Sequence, residues 1–168
     1  MAKWVGLLGI LLIAFACYPR RFEATATPQE GLTITYSVSP LFTVHGSDWK
    51  RAVRVKYGQG MVRQGLFEDT GWWRGSHLYR HTSGNYVIHE GQNGCFGIDI
   101  DPLKFTVPAK DLCQKVTGDL ANGGGTSRFY PGLTYLGKFD ENTGARDGAP
   151  IRFIPVDELA EQELPALL

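Results

Sequence analysis

The histidines are the first residues in this 168-residue chain whose types and spacing could do chemistry. His77 and His81 are four apart, which places both on one side of either a helix or a strand. With His89 across a hairpin they could bring three imidazoles together around a metal. No His-Glu-x-x-His motif supports that site, and Glu90 would point away from His89 on a regular strand. Surface or partly buried histidines are the simpler expectation.

Other candidates follow the same pattern. Asp99 and Asp101 flank Ile100 and could share a face for calcium binding or acid–base work. Pro102 directly after them favours a strand-ending turn. His45, Ser47 and Asp48 have the residue types of a serine hydrolase, but sequence neighbours do not make a triad, and no Gly-x-Ser-x-Gly is present. Trp72, Trp73 and Arg74 offer a binding edge. On a strand one indole would pack inward while the other could meet a glycan or a protein. The Gly123–Gly125 run lacks the Lys-Ser/Thr of a phosphate loop. Lys50, Arg51, Arg54 and Lys56 read as a solvated strand face. Lys+Arg and Asp+Glu are both 17, so no overall basic field supports nucleic-acid binding. No motif implies a cofactor.

The elements that would position these groups are mostly strands. Leu32, Ile34, Tyr36 and Val38 alternate with Thr33, Thr35, Ser37 and Ser39, a period-two strand with one buried face. Residues 52–57 alternate likewise, Val53, Val55 and Tyr57 against Arg54 and Lys56, and 61–67 could return as their partner. Residues 78–81 and 85–89 flank Thr82-Ser83-Gly84, the clearest hairpin. Residues 95–100 read as the next strand, 105–107 are ambiguous, and 108–116 suggest a helical turn. Residues 133–140 and 151–154 form a final pair. Gly 21 and Pro 9 favour many turns between short strands. The expected fold is mainly β, a small antiparallel sandwich or barrel with one or two short helices, preceded by a hydrophobic signal or anchor helix. The expected domain spans residues 31–156. Residues 17–30 read as a flexible tether and 157–168 as an acidic tail or short helix.

Residues 1–16 read as an export signal or membrane anchor. Lys3 precedes thirteen uncharged residues, and Ala14-Phe15-Ala16 offers a small-x-small cleavage pattern. The uncharged stretch 4–19 would make ~24 Å of helix at ~1.5 Å per residue, short of a bilayer core of about 30 Å. Arg20 and Arg21 just beyond it oppose its translocation. With Cys17 after Ala16, the segment resembles a bacterial lipoprotein signal, which implies lipidation of Cys17. Ala14 and Phe15 depart from the usual Leu-like and small residues of that signal. Ordinary cleavage and an uncleaved anchor stay open beside it.

Three cysteines leave one unpaired in an oxidising compartment. A Cys95–Cys113 disulfide would close a loop of ~19 residues and contribute about 3 kcal/mol in the chain-entropy model. The alternative is two buried thiols. The residues single out no reaction. The expectation is an exported, envelope-tethered binding or structural module, periplasmic or extracellular, with the membrane and a protein or glycan as partners. A hydrolase or metal-dependent enzyme around His77, His81 and His89 is the alternative. A scaffold part of a secretion or phage assembly is a third.

Overall fold

The computed structural model describes residues 21–40, 49–66, 75–90, 95–106, 132–140 and 151–165. They form ten strands: β1 (Phe22–Gln29), β2 (Leu32–Pro40), β3 (Trp49–Tyr57), β4 (Gly60–Gly65), β5 (Ser76–His81), β6 (Tyr86–His89), β7 (Cys95–Ile100), β8 (Leu103–Thr106), β9 (Leu133–Asp140) and β10 (Arg152–Pro155). The strands make two antiparallel sheets. One has the order β1-β2-β3-β4, the other β10-β9-β5-β6-β7-β8. Neither closes into a barrel. The only helical pieces among the described residues are two 3-10 turns, Val156–Glu158 and Glu161–Glu163. The leader, residues 1–16, and Cys17 lie outside the described residues. Among those described, no helix is long and apolar enough to cross a membrane.

Side-chain alternation decides which sheet faces meet. On β2, Leu32, Ile34, Tyr36 and Val38 are fully buried, as their period-two pattern requires. Val53 and Val55 of β3 extend that face, and Leu78, Tyr86, Ile88, Ile98 and Phe139 answer from the six-stranded sheet in the same core cluster. Tyr36 stacks on Phe139 across the gap, ring centroids 5.3 Å apart. The Tyr86 hydroxyl donates to Gln29 Oε1 at 3.0 Å, tying β6 to β1.

The six-stranded sheet is also covered on its other face. Tyr79, Val87, Cys95, Leu133 and Tyr135 form a second cluster there, and Leu159 and Leu164 pack against it from the C-terminal turns. The acidic stretch expected as a tail or short helix thus forms two tight turns whose leucines hold it to the sheet.

Two local features depart from the sequence expectation. Residues 17–30 read as a tether, yet Phe22–Gln29 form β1, paired with β2. Ala24 and Ala26 face inward and Glu23, Thr25 and Thr27 outward, so the alternation is present but carried by small apolar residues. Pro28 is tolerated because β1 is an edge strand. In β9 the register with β5 slips between Leu78–Gly137 and Tyr79–Tyr135, so Leu136 is the extra residue of a bulge. Gly137 sits there with φ +141°, and a Cβ on it would meet the Ile154 carbonyl oxygen. The bulge therefore depends on glycine.

Candidate functional site

The β5–β6 hairpin positions both polar clusters of the interior. Its turn is set by Gly84, at φ +90°, and closed by His81 N–H donating to the Asn85 carbonyl at 2.8 Å. Because strand residues alternate, Ser76 and Glu90 face the core between the sheets, while His77 and His89 face the outer cluster.

The inner cluster is charged. Arg51 Nη1 donates to Glu90 Oε2 at 3.1 Å, with both side chains fully buried. The Tyr36 hydroxyl donates to Glu90 Oε1 at 2.9 Å, and the Ser76 hydroxyl donates to the same oxygen at 2.8 Å. Arg51 Nη1 also reaches the Tyr36 oxygen at 3.3 Å. Two residues come from each sheet, so the network pins the sheets together. Burial raises the Tyr36 hydroxyl well above its ordinary pKa, and the Glu90 carboxylate adds to that. The tyrosine thus stays protonated and donates. Arg51 corrects the reading of residues 50–56 as one solvated face. It shares the inward parity of Val53 and Val55, while Lys50, Arg54 and Lys56 stay on the outer side. Parity was the available signal, since a charge at an inward position needs a buried partner.

The outer cluster is neutral. His77 pairs across the strands with His89 on one side and Lys138 on the other, and His89 in turn pairs with Cys95. His77 Nδ1 and the Tyr135 hydroxyl share a hydrogen bond of 3.0 Å, their rings 5.7 Å apart. Burial lowers the His77 pKa to about 3, helped by His89 and Lys138. Burial alone lowers His89 to about 4. Burial also raises the Tyr135 hydroxyl. Both imidazoles are therefore uncharged at neutral pH and act as packing and hydrogen-bonding groups.

The three-imidazole arrangement is not assembled. His81 lies four strand residues from His77, ~13 Å at ~3.3 Å per residue. There its Nδ1 accepts from Ser83 N–H at 3.1 Å and shares a bond of 2.8 Å with the Ser83 hydroxyl. Among the described residues no group of three or more His, Cys, Asp or Glu side chains could hold a metal ion. Asp99 and Asp101 do not form a pair either. Asp99 accepts from Asn85 Nδ2 at 3.0 Å and from the Thr106 hydroxyl at 3.1 Å, with Lys104 Nζ at 3.6 Å. Asp101 is exposed in the β7–β8 turn.

Trp72, Trp73 and Arg74 lie outside the described residues, as do His45, Ser47, Asp48, Cys17, Cys113 and residues 123–125. Cys95 is buried on β7, 7% exposed. No family model, curated protein or solved structure matches the chain.

Proposed function

We propose that this chain is an exported, envelope-tethered module that binds or supports a partner by surface contact. The observation that most supports this reading is how the described chain uses its reactive groups. Arg51, Glu90, Tyr36 and Ser76 bond to one another without solvent exposure and stiffen the two-sheet body. Lys50, Arg54, Lys56 and Arg63 lie on the outer face of the four-stranded sheet, a broad face that can meet an extended surface. The leader and Cys17 support export and tethering by the sequence argument above. In an oxidising compartment Cys95, buried on β7, would pair with Cys113. Trp72, Trp73 and Arg74 are the proposed contact for a protein or glycan.

The mass of the mature protein from membrane and soluble fractions tests the tether. A chain starting at Cys17 with a diacylglycerol-sized addition, found with the membrane, is the expected result. An unmodified chain in the soluble fraction alone would overturn tethering. Metal analysis tests the module reading against the metalloenzyme. Stoichiometric metal that disappears in His77→Ala would replace the module with the enzyme.

A further inference from the structure

A net charge of zero hides an uneven distribution of charge. Among the described residues Arg21, Lys50, Arg54, Lys56 and Arg63 face solvent with the four-stranded sheet, against the carboxylates Glu23 and Glu30, while the exposed Arg80, Lys104 and Arg152 belong to the six-stranded sheet. The C-terminal turns alone carry Asp157, Glu158, Glu161 and Glu163. Register places Arg54 directly opposite Arg63, and Lys56 opposite Met61, so all four point to the outer face. Arg21 joins them, donating to the Ser37 hydroxyl at 3.1 Å. Among the described strand residues Glu23 is the sole carboxylate on that face, shared by Arg21 at 2.9 Å and Arg54 at 3.4 Å. Like charges directly opposite on a sheet cost stability, and an external anionic partner would offset that cost.

Two further observations fix the kind of partner. The exposed large hydrophobics of the described residues are Tyr57, Met61 and Val156, and the first two lie at the β3–β4 hairpin tip, beside Lys56. An apolar tip flanked by cations suits a lipid interface better than a soluble polyanion. The second is direction. Phe22 pairs with Val38 at one end of the sheet, while Leu32 pairs with Tyr57 at the other. The leader therefore joins one end, the apolar tip forms the other, and the cations lie between them along ~26 Å of strand at ~3.3 Å per residue. From Cys17 to Arg21 the chain can span only ~14 Å.

We propose that the outer face of the four-stranded sheet docks flat onto anionic lipid headgroups, with Arg21, Lys50, Arg54, Lys56 and Arg63 facing phosphate and Met61 entering the interface. The proposal rests on the tethered reading and specifies which surface meets the membrane. Full-length protein is reconstituted in phosphatidylcholine vesicles with and without phosphatidylglycerol, treated with an amine-reactive label, and read by peptide mass spectrometry. Lys104, on the other sheet with 58% of its side chain exposed, is the internal control. In the anionic vesicles Lys50 and Lys56 become protected relative to Lys104 on the order of tenfold. High salt removes the protection, and in Lys56→Glu/Arg63→Glu protein Lys50 loses it. Equal labelling of protein that floats with both kinds of vesicle leaves the tether standing and overturns the docking. Protein that floats only with the anionic vesicles, with Lys50 and Lys56 protected, overturns the tether and leaves the docking standing; protein that floats with neither overturns both. Equal protection by soluble polygalacturonate over phosphatidylcholine would assign the face to a soluble polyanion and overturn the lipid proposal.

Discussion

Neighbouring residues of one hairpin feed two polar clusters of opposite electrical character. Ser76 and Glu90 turn inward to Arg51 and Tyr36, where a full positive and a full negative charge are buried against each other. His77 and His89 turn outward to Tyr135, where burial keeps both imidazoles neutral. The difference is one of available partners. Arg51 cannot shed its proton, so its site needs a fixed carboxylate. Histidine can become neutral at modest cost, so its site needs only a hydrogen-bonding tyrosine and cover.

Breaking the inner pair should have the largest effect. Glu90→Gln removes the charge that offsets Arg51 and is expected to cost about 3–5 kcal/mol of unfolding free energy. Denaturant unfolding measures it. The comparison sharpens with Arg51→Met/Glu90→Leu, which removes both charges and should recover most of the loss. If the double variant is no more stable than Glu90→Gln, the penalty lies in packing and not in an uncompensated charge.

The outer cluster should reveal itself through acid. Both histidines have folded pKa values, about 3 and about 4, below the ordinary 6.5. The unfolded chain therefore takes up protons below about pH 6.5 that the folded chain refuses. Stability from this source is complete above that pH and is lost as pH falls toward 4. Each histidine contributes a slope of about 1.4 kcal/mol per pH unit in that window. Unfolding of His77→Gln at pH 7 and pH 5 should show a shallower acid loss than the parent protein. Parallel losses in both proteins would mean that His77 takes up its proton alike in the folded and unfolded chain, and the contrast between the clusters would fail.

Period-two alternation made much of this visible in the sequence. The strand at 95–100 and the late strand at 133–140 have the bounds expected of them, while the hairpin's first strand begins two residues earlier than expected and its second one residue later. β1 was obscured because alanines carry its buried face and two prolines flank or interrupt the segment. The inner cluster was half visible. The parity argument that turned Glu90 away from His89 also turns it into the core, but Arg51 sat among cations that suggested a solvated run. No local pattern reports that 39 residues of separation close to a 3.1 Å contact. The proximity of His77 to His89 was readable from the hairpin. Tyr135 was not, because the bulge at Gly137 shifts the register that brings it alongside.

Tyr135→Phe sharpens the outer cluster on a smaller scale. It deletes the hydroxyl bonded to His77 Nδ1 at 3.0 Å and keeps the ring that packs on Tyr79, centroids 5.1 Å apart. A loss of about 1 kcal/mol is expected. Combined with His77→Gln, the two losses should fall short of their sum, because both remove one bond. Strict additivity would show that the contact contributes nothing.

The smallest effect belongs to the exposed face, and its sign carries the information. Arg63 faces Arg54 across β3 and β4, and Arg54 has only a long contact of 3.4 Å to Glu23, itself engaged by Arg21. Arg63→Gln removes repulsion and no ion pair among the described residues. The change in stability should stay within about 0.5 kcal/mol and favour the variant. Melting temperatures at low and high ionic strength measure it, and the advantage should shrink with salt because these charges are open to solvent. The inner pair behaves in the opposite way, since salt hardly screens charges buried between sheets. A variant less stable than its parent at both ionic strengths would mean that Arg63 satisfies a carboxylate. The outer face would then be held by internal pairing, as the inner cluster is, and would not be left with charge to offer a partner.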